Sequence, residues 1–205
     1  MTDSDPTVFV VDDDEPVRDA IGMLLDTVDI QHECYDSATS FLDGYGSQRT
    51  GCLVLDIRMP GMSGLELQDH LLENGDPLPI IFITGHGDIP MAVEAMKKGA
   101  MDFIRKPFRD QELLDRIQEA LNHDAENREH HADLEAVRNR AASLTPREKE
   151  VFERVAEGQA NKVVAIDLEI SERTVEIHRS QVMQKMEARN LADLVKMKIL
   201  LNSAG

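Results

Sequence analysis

The chain has 205 residues, 41% hydrophobic and 30% charged, with 39 acidic against 22 basic side chains and a formal net charge of −17. That apolar fraction suffices for ordinary cores and excludes wholesale disorder, and the length suits one domain or two small ones. The acid excess argues at first sight against a nucleic-acid binder, but residues 1–122 carry 24 acidic and 9 basic side chains, residues 123–142 carry 5 and 3, and residues 143–205 carry 10 and 10.

Such an asymmetry points to two modules with different partners. In chain order, the polar, acidic start (MTDSDP) lacks the basic and apolar regions of a secretory signal. Thr7–Val11 is short, β-branched and apolar without alternation, as expected of a strand buried on both faces. Val17, Ile21, Leu24 and Leu25 then recur at helical spacing. A second strand is predicted at Gln31–Tyr35 and a third at Cys52–Leu55. Leu65, Leu67, Leu71 and Leu72 form the next helical stripe, stopped by Gly75 and Pro77. After a strand at Ile80–Ile83, Met91, Val93, Ala95 and Met96 form a third stripe, closed by Lys97, Lys98 and Gly99. Met101–Ile104 is the fifth strand. Five strands alternating with helices predict an α/β fold, a doubly wound five-stranded parallel sheet.

From Gln111 to about Ala142 the pattern is helical, without Pro or Gly. Leu134, Val137, Ala141 and Leu144 mark a weak heptad seam, which reads equally well as a pairing coiled coil or a solvated linker. No strand follows. Thr145-Pro146-Arg147-Glu148 opens a helix with Thr145 as N-cap, Pro146 at N1 and Glu148 completing a capping box; Gly158 ends it. Helices near Asn161–Leu168, from the Ser171 cap to about Met186, and over Leu191–Leu201 complete an all-α unit resembling a helix-turn-helix. The expected layout is therefore residues 1–122, a helical linker over 123–142, and residues 143–205.

No apolar run reaches the roughly 18–20 residues of a membrane span. Cys34 and Cys52 have neither metal nor disulfide spacing and read as small core side chains in a reducing cytoplasm. His130 and His131 read as a solvated helix face.

In open α/β sheets, ligands sit beyond the carboxyl ends of the strands. Asp12, Asp13, Asp14 and Glu15 follow the first strand, Asp56 the third, Thr84 the fourth, and Lys106 with Pro107 the fifth. Clustered carboxylates suit Mg²⁺. Beside a lysine and a hydroxyl, that set fits a transferring phosphoryl group, whose equatorial oxygens need neutralising. One carboxylate would be the nucleophile. Asp56, alone at a strand end, is the best candidate, with Asp12 and Asp13 holding the metal and Asp14 and Glu15 as first-turn helix acids.

The segments VVDDDEPVRDAI, LVLDIRMPGMSGLEL, IIFITGHGD and AMKKGAMDFIRKPF resemble the signatures of a response-regulator receiver domain. SLTPREKEVF, GQANKVVA and ISERTVEIHRSQVMQKM resemble the helix-turn-helix of the NarL/FixJ (LuxR-type) transcription factors, closest to the FixJ branch. The resemblance implies Asp56 as phospho-acceptor for a sensor histidine kinase, with Asp12, Asp13 and the backbone carbonyl of Arg58 completing the Mg²⁺ site. Lys106 is implied to pair with the phosphoryl oxygens ahead of a cis peptide to Pro107. Thr84 is the implied switch hydroxyl, and Phe103 the aromatic switch where many relatives have Tyr. Val93, Lys97 and Phe103 are expected on the face that forms a homodimer upon phosphorylation.

In the C-terminal half the resemblance places Glu176, Ile177 and Ser180 at the major groove of promoter DNA. Arg173, Arg179, Lys162 and Lys185 are expected at phosphates, with Asn161, Ser171 and Thr174 near the backbone. His178 and Val175 are expected to pack inward, and RNA polymerase is a candidate partner. A charge-neutral module gains little from counterion release alone, so dimerisation is expected to supply the missing affinity. Two other readings compete: an aspartate-nucleophile phosphatase, for which no cap domain is left in the chain, and a receiver that never meets phosphate.

Overall fold

The computed structural model describes residues 5–46, 49–76, 78–85 and 89–203. The first four residues, the stop signal at Pro77 and the His86–Asp88 part of the fourth-strand segment lie outside the described residues. The chain divides into two compact units, residues 1–127 and 128–205.

In the first unit, strands β1 (Thr7–Val11), β2 (His32–Tyr35), β3 (Gly51–Asp56), β4 (Ile80–Thr84) and β5 (Asp102–Arg105) form one sheet in the order β2-β1-β3-β4-β5. Every neighbouring pair is parallel. The connecting helices are α1 (Glu15–Asp26), α2 (Ala38–Gly44), α3 (Gly64–Glu73) and α4 (Ile89–Lys97), and α5 (Asp110–Ala142) follows β5. Alternate strand residues feed opposite cores. Val8, Val10, Val54, Ile81 and Ile83 pack with Ile21 and Leu25 of α1 and Leu113 and Ile117 of α5. Phe9, Val11, Leu53, Leu55 and Phe82 pack with Phe41 of α2, Leu67 and Leu71 of α3 and Ala92 and Ala95 of α4. The sheet is thus covered on both faces, as its unbroken apolar strands require.

Three predicted features are corrected. Helix α2 was not anticipated; Ser37 caps it by accepting the Ser40 N–H, and it is only seven residues long, too short for a periodic stripe. On α3 the buried positions are Gly64, Leu67, Gln68 and Leu71, while Leu72 is 51% exposed. On α4 the inward residues are Ala92 and Ala95, and Val93 and Met96 face outward. The small alanines cover the sheet, with Met91 packed beside them.

Helix α5 serves both units. Its beginning buries Leu113, Ile117, Ala120 and Leu121 in the first. Near its end, Val137 lies in the core of the second, with Ala141 packed against that core. The expected heptad seam is therefore not an open pairing surface: Leu134 and Val137 are each 5% exposed and Leu144 is 4% exposed. The division into units falls inside α5, not at its end.

The second unit contains α6 (Pro146–Ala156), α7 (Asn161–Asp167), α8 (Glu172–Lys185) and α9 (Leu191–Asn202). Its core joins Val151, Phe152 and Val155 of α6, Val164 of α7, Val175 and Val182 of α8, Met186 at the C-cap of α8, and Leu194 of α9. The capping box at α6 forms as expected, with Thr145 and Glu148 each accepting the other's backbone N–H.

Candidate functional site

The strand order reverses direction between β1 and β3, the switch point at which doubly wound sheets bind ligands. Asp12 follows β1, Asp56 ends β3, Thr84 ends β4 and Lys106 follows β5. Three of these side chains, Asp12, Asp56 and Lys106, meet. The Lys106 Nζ donates to Asp12 Oδ2 at 2.6 Å and to Asp56 Oδ1 at 2.6 Å. The other Asp56 oxygen accepts the Arg58 N–H at 2.6 Å. The other Asp12 oxygen accepts the Asp14 N–H at 2.9 Å, and the Arg18 guanidinium donates to the Asp12 carbonyl at 2.6 Å. The Lys106 N–H donates to the Thr84 carbonyl at 2.7 Å, and the Lys106–Pro107 peptide is cis, as expected. Gly64 lets α3 approach the end of β3, since a Cβ there would stand 2.3 Å from the Asp56 carbonyl oxygen.

Burial sets the electrostatics. Asp12 is fully buried and Asp56 is 7% exposed. Burial pushes the Asp56 carboxyl above its usual pKa, with Asp12 adding to the shift and Lys106 and the Arg58 N–H opposing it. At Lys106, burial works against the ammonium, but the bonds to Asp12 and Asp56 outweigh it and hold its pKa above the ordinary lysine value. Two carboxylates against one ammonium leave the cluster with an excess negative charge, and the exposed Asp13 adds to it. Among the described residues no three His, Cys, Asp or Glu side chains gather into a metal cage. Mg²⁺ needs none, because it keeps several waters and takes one or two protein carboxylates. The donor set fits such a hard dication.

In the second unit, Arg173, Glu176, Ile177 and Ser180 of α8 are exposed, whereas Val175 is buried. His178 is partly buried, as expected. Ser171 accepts the Thr174 N–H at 3.1 Å, and their hydroxyls lie 2.8 Å apart. The Arg179 guanidinium donates to Asn161 Oδ1 at 3.0 Å, linking α8 to α7. Lys162 is exposed.

Residues 8–118 match the family described as response regulator receiver domain, and residues 142–198 match the luxR family of bacterial regulatory proteins. The chain is a response regulator. It belongs to the receiver family, carries a LuxR-type DNA-binding domain, and its relatives are regulators of two-component systems. The regulator is 44% identical to the response regulator protein TmoT of Ectopseudomonas mendocina, over 96% of this chain and 89% of that one. It is 45% identical to the transcriptional regulatory protein FixJ of Rhizobium meliloti, over 95% of each. The solved structure of the response regulator StyR aligns with a TM-score of 0.84 and 47% identity, over 95% of this chain and 98% of that one.

The pocket of the response regulator thus brings together Asp12, Asp56 and Lys106, while Asp13 stands outside in solvent. Thr84 is 2% exposed and turns its hydroxyl to the Gly85 carbonyl at 3.3 Å. Val93, Lys97 and Phe103 are exposed on the adjacent elements α4 and β5. One residue expected at DNA phosphate is paired within the domain. The Lys185 Nζ sits 2.7 Å from Glu148 Oε2, and Glu148 is 3% exposed. Two polar groups that the sequence reading missed also brace the receiver. Gln68 donates to the Ala95 carbonyl at 3.0 Å, and Asp124 accepts the Gly51 N–H at 2.9 Å. Neither has a local signal, because each partner is distant in sequence. Among the described residues no helix is long and apolar enough to cross a membrane.

Proposed function

We propose that Asp56 is the phosphoryl acceptor of this regulator and that its phosphorylation by a sensor histidine kinase promotes dimerisation and promoter binding. The observation that carries this reading is the placement of Lys106 Nζ 2.6 Å from both Asp12 and Asp56. An Asp56 carboxylate oxygen bonds to phosphorus as the bond from phosphorus to the kinase histidine breaks, leaving an acyl phosphate on Asp56 and the imidazole released. Lys106, already charged and oriented, faces the incoming phosphoryl oxygens without reorganisation. Asp12, Asp13, Asp56 and the Arg58 carbonyl would hold Mg²⁺, which supplies further positive charge to those oxygens. The same groups would promote hydrolysis of the acyl phosphate, so the receiver acts on its own phosphoryl group and is not a turnover enzyme.

Thr84 and Phe103 carry the change outward: the Thr84 hydroxyl leaves Gly85 for the phosphoryl group, and the Phe103 ring, 38% exposed, repacks. Phe lacks a phenol, so its readout rests on packing alone. Val93, Lys97 and Phe103 then form the dimer face. In the DNA-binding domain, α8 is the recognition helix. Glu176, Ile177 and Ser180 face base edges, and Arg173, Arg179 and Lys162 meet phosphates, with Asn161, Ser171 and Thr174 beside the backbone. Arg179 spends one of its five N–H donors on Asn161, leaving others free for phosphate. The regulator acts in the cytoplasm, where RNA polymerase is a candidate partner.

The test is incorporation of phosphate from acetyl phosphate and Mg²⁺, followed by sizing and by binding to duplexes with one or two half-sites. Wild type is expected to be labelled, to dimerise and to tighten chiefly on the two-half-site duplex. Asp56→Asn is expected to do none of these. Labelling of the Asn variant, or an unchanged labelled monomer, would overturn the reading.

A further inference from the structure

Two ion pairs outside the phosphorylation pocket meet at the C-terminal end of α8. Lys185, the last residue of that helix, places Nζ 2.7 Å from Glu148 Oε2 and 3.4 Å from the Ser143 carbonyl. The same Glu148 oxygen accepts the Thr145 N–H at 2.7 Å. Just past the helix, Glu187 has φ of 56° and pairs with Arg140 of α5 at 2.6 Å. Val137 and Leu144 lie in one core with Val182 and Met186. The end of α5 and the cap of α6 therefore grip the end of α8 that lies away from Arg173 and Glu176.

A carboxylate as buried as Glu148 is costly to leave without its cation. Lys185 is consequently fixed, and with it the axial setting and rotation of α8. Base-edge contacts need their side chains held to within about 0.5 Å. A helix contacting DNA near its N-terminal half needs such an anchor at its other end. We propose that Glu148 is a positioning residue for DNA recognition, acting through Lys185 to set α8 so that Arg173, Glu176, Ile177 and Ser180 meet the groove together. This rests on the assignment of α8 as the recognition helix. Lys185 is then part of the anchor and makes no phosphate contact.

The two roles of Lys185 predict opposite outcomes for Glu148→Gln. Gln keeps a capping acceptor for the Thr145 N–H, as Glu and Gln both serve at this position, and removes only the charge that holds Lys185. The probe is a duplex enriched by the full-length wild-type regulator, treated with beryllofluoride and Mg²⁺, from a random-sequence library. An anchor predicts that E148Q binds this duplex about tenfold more weakly, with the slope of log K against log salt unchanged and Asp56 phosphorylation intact. K185Q is expected to show the same loss and the same slope, and the double variant no more than either single one. If Lys185 instead contacted phosphate, E148Q would free it and bind as tightly as wild type or tighter, and K185Q would lower the slope by about 0.9. Either result overturns the proposal. Should E148Q fail to fold by thermal melting, the K185Q slope decides alone. If wild type enriches no duplex, the recognition-helix assignment falls, and the anchor with it.

Discussion

In the first unit the buried Asp12 is paired with a half-buried Lys106, 94 residues away, whereas in the second Arg173, Glu176, Ile177 and Ser180 come from neighbouring turns of one helix and stand in solvent. The contrast follows from the size of what each unit handles. A phosphoryl group is small enough to be enclosed, and a dry pocket strengthens each charge that faces it. A duplex cannot be enclosed, so its readers must be exposed, and their precision must come from what holds the helix behind them. Buried charge occurs in both units: Asp56, the acceptor proposed above, accepts from Lys106, and Glu148 accepts from Lys185.

The largest expected effect tests the Asp12, Asp56 and Lys106 cluster. Lys106→Met leaves Asp12 and Asp56 facing each other without a cation and should destabilise the first unit by about 3 kcal/mol. Urea unfolding with a probe in each unit checks this, and a loss confined to the second unit would contradict the pocket geometry. Next, Val137→Ala truncates a side chain that is 5% exposed in the second core and should cost that unit about 2 kcal/mol. Asp56 labelling should be retained, and an unchanged second unit would return the end of α5 to the status of a plain linker. Arg173→Ala tests the exposed surface. It should weaken binding by about 1 kcal/mol across all duplex sequences and reduce the salt slope by about 1; a change in sequence preference instead would place Arg173 at a base.

The smallest effect concerns pH. The folded Asp56 pKa lies above its ordinary value because of burial, so folding favours the protonated form. Stability tied to this group is full below the ordinary carboxylate pKa and is lost as pH rises through the raised one. Asp56→Asn removes that loss and should melt at a higher temperature than wild type at neutral pH, with the gap narrowing as the pH falls through the raised value. An Asn variant less stable at neutral pH would mean that the bonds from Lys106 and Arg58 outweigh the burial penalty.

The parallel sheet and the positions of Asp12, Asp56, Thr84 and Lys106 at its strand ends were legible because each rests on local pattern: short β-branched runs, helical stripes between them, and a topological rule that assigns the carboxyl edge to function. The capping box at Thr145 and Glu148 was equally readable, since its partners are three residues apart. Less of the helix faces could be read. Leu72 and Val93 are as apolar as their buried neighbours, and only packing against α4 and β5 determines which side of each helix is covered.

Composition and local spacing by themselves determined that the acidic half carries a parallel α/β unit with convergent carboxylates and that the balanced half is helical. Only the tertiary structure decided which charges are free to act. Lys106 is drawn between two buried aspartates, and Lys185, which resembles any exposed helix lysine in the sequence, is committed to a glutamate 37 residues away. The physical reason is the same for both. An ion pair's meaning depends on burial and on partners brought together by folding, and neither quantity is carried by a side chain's own neighbours along the chain.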